Sequence, residues 1–156
     1  MSNQNYSDVI IMGGGLAGLT LSLQLKQRMP ALSITVIERR QHPVPKAAHK
    51  VGESSVEIGA HYFEKVLGLK RHLDEDQLKK FGFRFFFSDG RHDLDKVTEL
   101  GASKVLPTPS YQLDRGVFEN KLAEIAAEKG VVFVDGATVK TFELAPGKAN
   151  HTLSFE

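Results

Sequence analysis

The feature that most constrains the fold is a glycine pattern, Gly13-x-Gly15-x-x-Gly18, between an apolar run and a helical pattern. The run Asp8–Met12 predicts a strand buried on both faces, and Leu16–Arg28 predicts a helix. Ser33–Glu38 is rich in β-branched residues and predicts a second buried strand. Strand, glycine turn, helix and strand within about thirty residues predict a βαβ unit.

Each glycine of this pattern has a predicted task. Gly13 permits the tight turn, Gly15 lets the backbone approach a pyrophosphate, and Gly18 lets helix and strand pack closely. The helix that begins with Leu16 and Ala17 offers N–H groups at its positive end. We therefore expect these five residues to form a diphosphate site.

An acidic residue supports this interpretation. Glu38 closes the second strand about 20 residues after the turn, where a carboxylate can bind a ribose hydroxyl pair. It disfavours a 2′-phosphate, and so NADP. Its neighbour Arg39 lies along the adenosine or is a solvated surface residue. These residues do not distinguish NAD from FAD.

The remaining pattern predicts an α/β fold: a Rossmann-like domain with a parallel sheet and a β-hairpin or meander covering one face. A helix over 116–129 is followed by a buried parallel strand over 131–134. Residues 137–144 and 152–155 alternate around Pro146-Gly147, as in a hairpin. Further helices are expected over 56–67 and 71–79, a strand over 83–87, and an extended segment over 111–113.

Composition excludes several classes of function. The 156 residues carry a formal net charge of +1, which gives no reason to expect a nucleic acid or a membrane as partner. The chain has no cysteine, and its six histidines show no metal-ligand spacing with carboxylates. The apolar run near the N-terminus lacks a basic leader and is interrupted by glycines, so we expect a cytoplasmic protein.

Two later motifs carry a resemblance to a known family. Lys50-Val-Gly-Glu-Ser54, followed by Val56-Glu-Ile, and Tyr111-Gln-Leu-Asp-Arg-Gly-Val-Phe118 resemble the FAD-dependent, tryptophan-halogenase-like enzymes. These enzymes are part of the para-hydroxybenzoate-hydroxylase-like flavoproteins. The resemblance runs from Asp8 to about Leu144. It implies that residues 1–156 are the N-terminal FAD-binding domain, a fragment of a longer flavoprotein.

The resemblance also implies roles for individual residues. Gly52, Glu53 and Ser54 would run beside the isoalloxazine, Arg115 would lie near the ribityl and phosphate groups, and the strand carrying Val139 would pass the adenine. Local structure offers alternatives. Gly52 could serve only the turn, Ser54 could N-cap a helix that starts at Ser55, and Arg115 could be a surface residue.

A third motif, Lys80-x-Gly82-x-x-Phe85, matches an element of several halogenases. There the lysine meets hypohalous acid formed at the flavin, so Lys80 is the candidate catalytic residue. Alternatively, it is a solvated lysine at the end of the helix over 71–79, where it favours the helix dipole. The phenylalanines over 83–87 are expected in the core or in a substrate-cavity wall.

The resemblance implies halogenation of a small organic molecule through a flavin C4a-hydroperoxide, with a separate flavin reductase as partner. Aromatic hydroxylation is the alternative. An NAD-dependent dehydrogenase would leave Lys50–Ser54 and Gln112–Arg115 without a role, and a non-catalytic nucleotide-binding module is a further alternative. The Trp-x-Trp-x-Ile-Pro motif of tryptophan halogenases is absent, but it normally lies further along the chain.

Overall fold

The computed structural model describes residues 5–104, 106–147 and 150–156. Its strands in chain order are β1 (Val9–Met12), β2 (Ile34–Ile37), β3 (Leu78–Lys80), β4 (Arg84–Phe87), β5 (Thr98–Gly101), β6 (Ser110–Gln112), β7 (Val132–Val134), β8 (Val139–Glu143) and β9 (Thr152–Phe155). Its helices are α1 (Leu16–Arg28), α2 (Glu57–His61), α3 (Lys70–Asp76) and α4 (Arg115–Glu128). A π-helical segment, Tyr62–Val66, continues α2, and Leu94–Lys96 forms a 3-10 turn.

The described chain divides into two compact units. One comprises the residues up to Lys50 and from Asp114 onward, and the other comprises Val51–Leu113. The first unit contains a parallel sheet in the order β1-β2-β7, with Val9 opposite Ile34 and Thr35 opposite Val132. The predicted α/β class and βαβ unit are thus confirmed.

Helices α1 and α4 pack against each other beside this sheet. Apolar residues recur at helical spacing along α1 and α4. The core here is formed by buried apolar residues of α1, β2 and α4: Leu19, Leu23, Ile34, Val36, Phe118, Leu122 and Ala126. The helix predicted over 16–28 has the bounds that the structure shows.

The expected burial of β1 and β7 on both faces is wrong. Side chains alternate along a strand, and Ile10, Met12 and Val132 are 42%, 55% and 57% exposed. Strands β8 and β9 pair as the predicted antiparallel hairpin. Ile10 and Met12 line a cavity of about 300 Å³ together with Phe142 of this hairpin, so the hairpin leaves this side of β1 partly open.

The second unit carries the helical segments α2 to α3 and two antiparallel strand pairs, β3-β6 and β4-β5. The expected helix over 71–79 ends early, because α3 stops at Asp76 and β3 begins at Leu78. Pairing with β6, in which Lys80 lies opposite Ser110, extends the backbone there. Strand β4 forms as predicted. Its phenylalanines and Phe83 are exposed within the described residues, so the core interpretation is wrong.

Candidate functional site

The glycine turn between β1 and α1 requires glycine at two positions for internal reasons. Gly13 has a φ of 110°, which other residues rarely adopt. A Cβ at Gly18 would lie 1.9 Å from the carbonyl oxygen of Gly13 and 3.1 Å from Cγ2 of Ile11. The first glycine is therefore explained by the turn and the other by the packing of α1 on β1, as the pattern predicts.

Gly15 is different, because none of the described residues requires it to be glycine. Its φ of −78° and ψ of −172° are accessible to any residue. A Cβ there would meet no heavy atom nearer than Oε1 of Glu119, at 3.9 Å. The space beside Gly15 lies at the N-terminus of α1. Gly15 is the N-cap residue of this helix and has no side chain that could accept a hydrogen bond from the first N–H groups. An anionic group that approaches the backbone closely fits this space.

Glu38 lies at the end of β2 and is buried against the turn. Its Oε2 accepts a hydrogen bond of 2.6 Å from the N–H of Gly14, and its Oε1 accepts one of 2.8 Å from the N–H of Arg40. Because each carboxylate oxygen can accept two hydrogen bonds, the group can also bind hydroxyls. Glu38 thus retains acceptor capacity for hydroxyl groups at the end of β2.

Sequence reasoning missed Gly14, a variable position of the glycine pattern. A Cβ there would lie 2.7 Å from Cβ of Glu38 and 2.7 Å from the ring of Phe133. Glycine at this position therefore allows Glu38 to approach the turn. The second glycine of the run Gly13-Gly14-Gly15 was the available signal.

The two remaining predicted adenosine residues also belong to the first unit. Arg39 follows Glu38 and is exposed, whereas Val139 opens β8 and is half-buried. The N–H of Ala137 donates a hydrogen bond of 2.9 Å to the carbonyl oxygen of Glu38. This bond joins the segment before β8 to the end of β2, so Val139 and Glu38 lie in connected segments.

The N-terminus of α4 is capped by Asp114. Its Oδ1 accepts from the N–H groups of Gly116 and Val117 at 2.9 and 3.0 Å, and its Oδ2 accepts from the N–H of Ala47 at 2.8 Å. Burial raises the pKa of this carboxyl, but the three N–H groups lower it more, so its pKa lies below the usual value. Asp114 therefore holds the long loop after β2 on α4.

Arg115, the first residue of α4, forms an ion pair with Glu119. Arg115 Nε donates to Oε1 of Glu119 at 2.8 Å, and Lys50 Nζ pairs with Oε2. The side chains of Lys50, Arg115 and Glu119 are only 19%, 16% and 3% exposed. Arg115 is therefore not a solvated surface residue.

Glu119 was missed by sequence reasoning, although its spacing of four residues from Arg115 on a helix was a signal for the ion pair. Burial raises the pKa of the Glu119 carboxyl, but the hydrogen bonds from Lys50 and Arg115 outweigh it, so the pKa lies below the usual value. Glu119 is thus an ionised acid within a buried cluster.

In the second unit, the predicted flavin loop meets β6. Gly52 has a φ of 89°, the carbonyl oxygen of Glu53 accepts from the N–H of Leu113 at 2.7 Å, and Ser54 forms a β-bridge with Gln112. Helix α2 begins at Glu57, and its N-cap residue is Val56, whose side chain makes no capping hydrogen bond. The interpretation of Ser54 as an N-cap is therefore wrong.

Lys80 lies on β3, with its ammonium group held by Ser54 and Ser55. Nζ donates to Oγ of Ser54 at 2.5 Å and to the carbonyl oxygen of Ser55 at 2.7 Å, and it lies 5.0 Å from the ring centroid of Phe83. Two predicted site residues, Lys80 and Ser54, are thus in contact. The alternative of a lysine at a helix end is wrong, because Lys80 lies in a strand.

Neither a metal centre nor a membrane span is found in the described part of the chain. No group of three or more His, Asp or Glu residues there could hold a metal ion, and the Asp74-Glu75-Asp76 run belongs to α3. None of the helices described here has the length and apolar character needed to cross a bilayer.

The fold and the glycine turn define a Rossmann-like nucleotide-binding domain. Residues 11–75 match the model of the NAD(P)-binding Rossmann-like domain family. Over 139 residues the chain is 34% identical to the flavin-dependent halogenase chlA of Dictyostelium discoideum, a match that covers 85% of this chain and 23% of that protein. The chain thus spans about a quarter of the length of this relative.

Solved structures share the fold. Halogenase PltM in complex with phloroglucinol and FAD aligns with a TM-score of 0.70 at 18% identity, over 96% of this chain and 33% of that one. The myxobacterial chondrochloren halogenase CndH aligns with a TM-score of 0.70 at 23% identity, over 90% and 31%. These structures confirm the fold, and the 34% identity to the Dictyostelium halogenase confirms the resemblance to FAD-dependent halogenases that the motifs carry.

Proposed function

We propose that this chain is the FAD-binding part of a flavin-dependent halogenase that acts on a small organic molecule. The observation that carries the proposal is Gly15, whose missing side chain is required neither by its backbone angles nor by its neighbours. A phosphate group against the backbone explains it. The 34% identity to a flavin-dependent halogenase supports FAD over other dinucleotides.

The first unit would hold the ADP half of the cofactor. In this proposal, the diphosphate lies against Gly15 and accepts from the N–H groups at the start of α1, those of Leu16, Ala17 and Gly18. Glu38 accepts hydrogen bonds from the ribose hydroxyls, while Arg39 and Val139 flank the adenosine. Gly13 forms the turn that would bring the N–H groups of α1 and the carboxylate of Glu38 to the same ligand.

The resemblance supports a placement for the flavin half. Gly52, Glu53 and Ser54 would lie beside the isoalloxazine, and Arg115 would lie near the ribityl and phosphate groups. The buried side chain of Arg115, already paired with a carboxylate, suits a charge that faces an anion rather than bulk water.

Bound FAD would supply the oxidising chemistry when reduced and exposed to oxygen. The chain's own contribution is then Lys80, whose ammonium group would donate a hydrogen bond to hypohalous acid. Its contacts with Ser54, Ser55 and Phe83 support this role, because they hold the ammonium in one position. A separate flavin reductase and a cytoplasmic location are also part of the proposal.

The test is a calorimetric titration of the purified chain with FAD, ADP and NAD. We expect FAD to bind at least about tenfold more tightly than NAD. Flavin that stays with the protein through gel filtration and is released on heating would identify the ligand. Binding of NAD at equal or higher affinity would refute FAD as the cofactor and favour a dehydrogenase.

A further inference from the structure

The carboxylate of Glu119 lies at the N-terminus of α1, although Glu119 belongs to α4. Its Oε1 accepts a hydrogen bond of 3.3 Å from the N–H of Leu16. Gly15, the N-cap residue of α1, has no side chain to accept this N–H. A distant residue therefore supplies an acceptor that α1 lacks, at the helix end where anions are favoured.

The same carboxylate joins two cations. Lys50 donates to Oε2, and Arg115 donates to Oε1. One negative charge thus meets two positive charges in a cluster whose side chains are mostly buried. Without Glu119 the two cations would repel each other and would also lie near the positive N-terminus of α1. The carboxylate of Glu119 therefore stabilises the cluster.

Glu119 also faces the space that the glycine turn leaves open. Of the heavy atoms near a Cβ built on Gly15, Oε1 of Glu119 is the nearest, at 3.9 Å. A diphosphate bound against Gly15 would bring its negative charge close to this carboxylate. It would also need the donors that Glu119 now uses, the N–H of Leu16 and the guanidinium of Arg115.

We infer that Glu119 is an internal competitor of the cofactor diphosphate. In the absence of ligand its carboxylate holds Leu16, Lys50 and Arg115, and the diphosphate takes over the N–H of Leu16 and the guanidinium of Arg115 when it binds. The affinity for the nucleotide is then set by an exchange of one anion for another. The inference rests on the proposed diphosphate site and adds a residue that limits affinity at that site.

Two properties of this arrangement are linked. Glu119 stabilises the ligand-free protein because it pairs with buried cations. The same pairing lowers the affinity for the diphosphate, because these contacts must break before the ligand can bind. A neutral side chain at position 119 should therefore weaken the empty fold and strengthen anion binding. A residue that merely holds Arg115 in place for the ligand would have the opposite effect on binding.

The experiment compares the wild-type chain with Glu119→Gln. Glu124→Gln is the matched control, since Glu124 belongs to the same helix and pairs with Lys121 on the surface. Thermal unfolding and calorimetric titration use two probes, inorganic pyrophosphate and ADP. We expect Glu119→Gln to have a lower Tm than the wild type without ligand and to bind pyrophosphate at least about tenfold more tightly. Addition of pyrophosphate should therefore raise the Tm of Glu119→Gln by more than it raises the Tm of the wild type. Glu124→Gln should match the wild type in each measurement.

A second variant covers the case in which Glu119→Gln does not fold. Glu119→Asp keeps the charge but withdraws the carboxylate by one methylene from Leu16, so it should bind pyrophosphate several-fold more tightly than the wild type. The inference is overturned if the folded variant binds pyrophosphate with the same affinity as the wild type or more weakly. The proposed diphosphate site would still stand after that result, provided that the wild type binds pyrophosphate and ADP. If the wild type binds neither probe, the proposed site itself is refuted, and the inference with it.

Discussion

The backbone N–H of Gly14 donates a hydrogen bond of 2.6 Å to Oε2 of Glu38. The two residues depend on each other, because any side chain at position 14 would displace Glu38. The end of β2 is thus joined directly to the glycine turn. The proposed ribose acid and the proposed phosphate site are therefore connected through a direct hydrogen bond.

The first prediction separates the roles of two glycines. We expect Gly15→Val to lower the affinity for ADP and FAD by at least about 100-fold, because its side chain would occupy the phosphate space. Its free energy of unfolding should fall by no more than about 1 kcal/mol, since the backbone angles suit any residue. Isothermal calorimetry and urea unfolding measure the two effects.

Gly18→Ala is the matched control for that substitution. Its Cβ would overlap the carbonyl oxygen of Gly13, so we expect a loss of about 3 kcal/mol or more in stability. If Gly15→Val bound ADP like the wild type, the diphosphate would not lie against Gly15.

The second prediction concerns selection of the ribose. We expect the wild type to bind ADP at least about tenfold more tightly than 2′-phospho-ADP, because the Glu38 carboxylate repels a phosphate and accepts from hydroxyls. Glu38→Gln should narrow this ratio, and the same change at the exposed Glu143 should leave it unchanged. Competition titrations measure the ratio of the affinities for ADP and 2′-phospho-ADP. Equal affinities of the wild type for the two ligands would refute this role for Glu38.

The third prediction concerns Lys80 in a full-length protein that carries this chain. With FAD, a reductase and halide, Lys80→Ala should retain FAD and consume oxygen, but halogenated product should nearly vanish. Lys79→Ala is the matched control, because Lys79 immediately precedes Lys80 in β3 and its Nζ lies 3.5 Å from Oδ1 of Asp74. It should leave halogenation intact.

Product analysis by mass spectrometry distinguishes the outcomes of this assay. Unchanged halogenation by Lys80→Ala would refute the role of the lysine. A hydroxylated product from the wild type would instead assign the protein to the flavin-dependent hydroxylases.

The fourth prediction is a loss of stability at high pH through Tyr111. Burial of Tyr111, together with a hydrogen bond of 2.9 Å to Asp74, raises the pKa of its hydroxyl well above 10.0. A raised pKa in the folded state means that the stabilisation is complete below pH 10.0 and is lost as the pH rises above that value. We expect Tyr111→Phe to be about 1 kcal/mol less stable than the wild type at pH 7. Urea unfolding should show this difference shrinking above pH 10.0, and a constant difference up to pH 12 would contradict the prediction.

Local sequence was sufficient to predict the βαβ unit and its glycine turn. Helix α1 runs from Leu16 to Arg28 as its periodicity predicts, because its boundaries are set by the glycine turn before it and Pro30 after it. The tasks of Gly13 and Gly18, the position of Glu38 at the end of β2 and the Asp114 cap also depend on residues close in sequence. Such short-range constraints are visible in any window of a few residues.

Tertiary structure alone decided the features that depend on distant pairing. Lys80 lies in a strand because β3 pairs with Ser110–Gln112, and this pairing overrides the helical pattern of the preceding residues. Glu119 reaches the N-terminus of α1 because α1 and α4 pack together, which brings it to Leu16 across 103 positions of sequence. The sequence by itself determined the glycine turn, since its geometry is local. Packing determined which charges face that turn, since burial and ion pairing depend on residues that only the folded chain brings together.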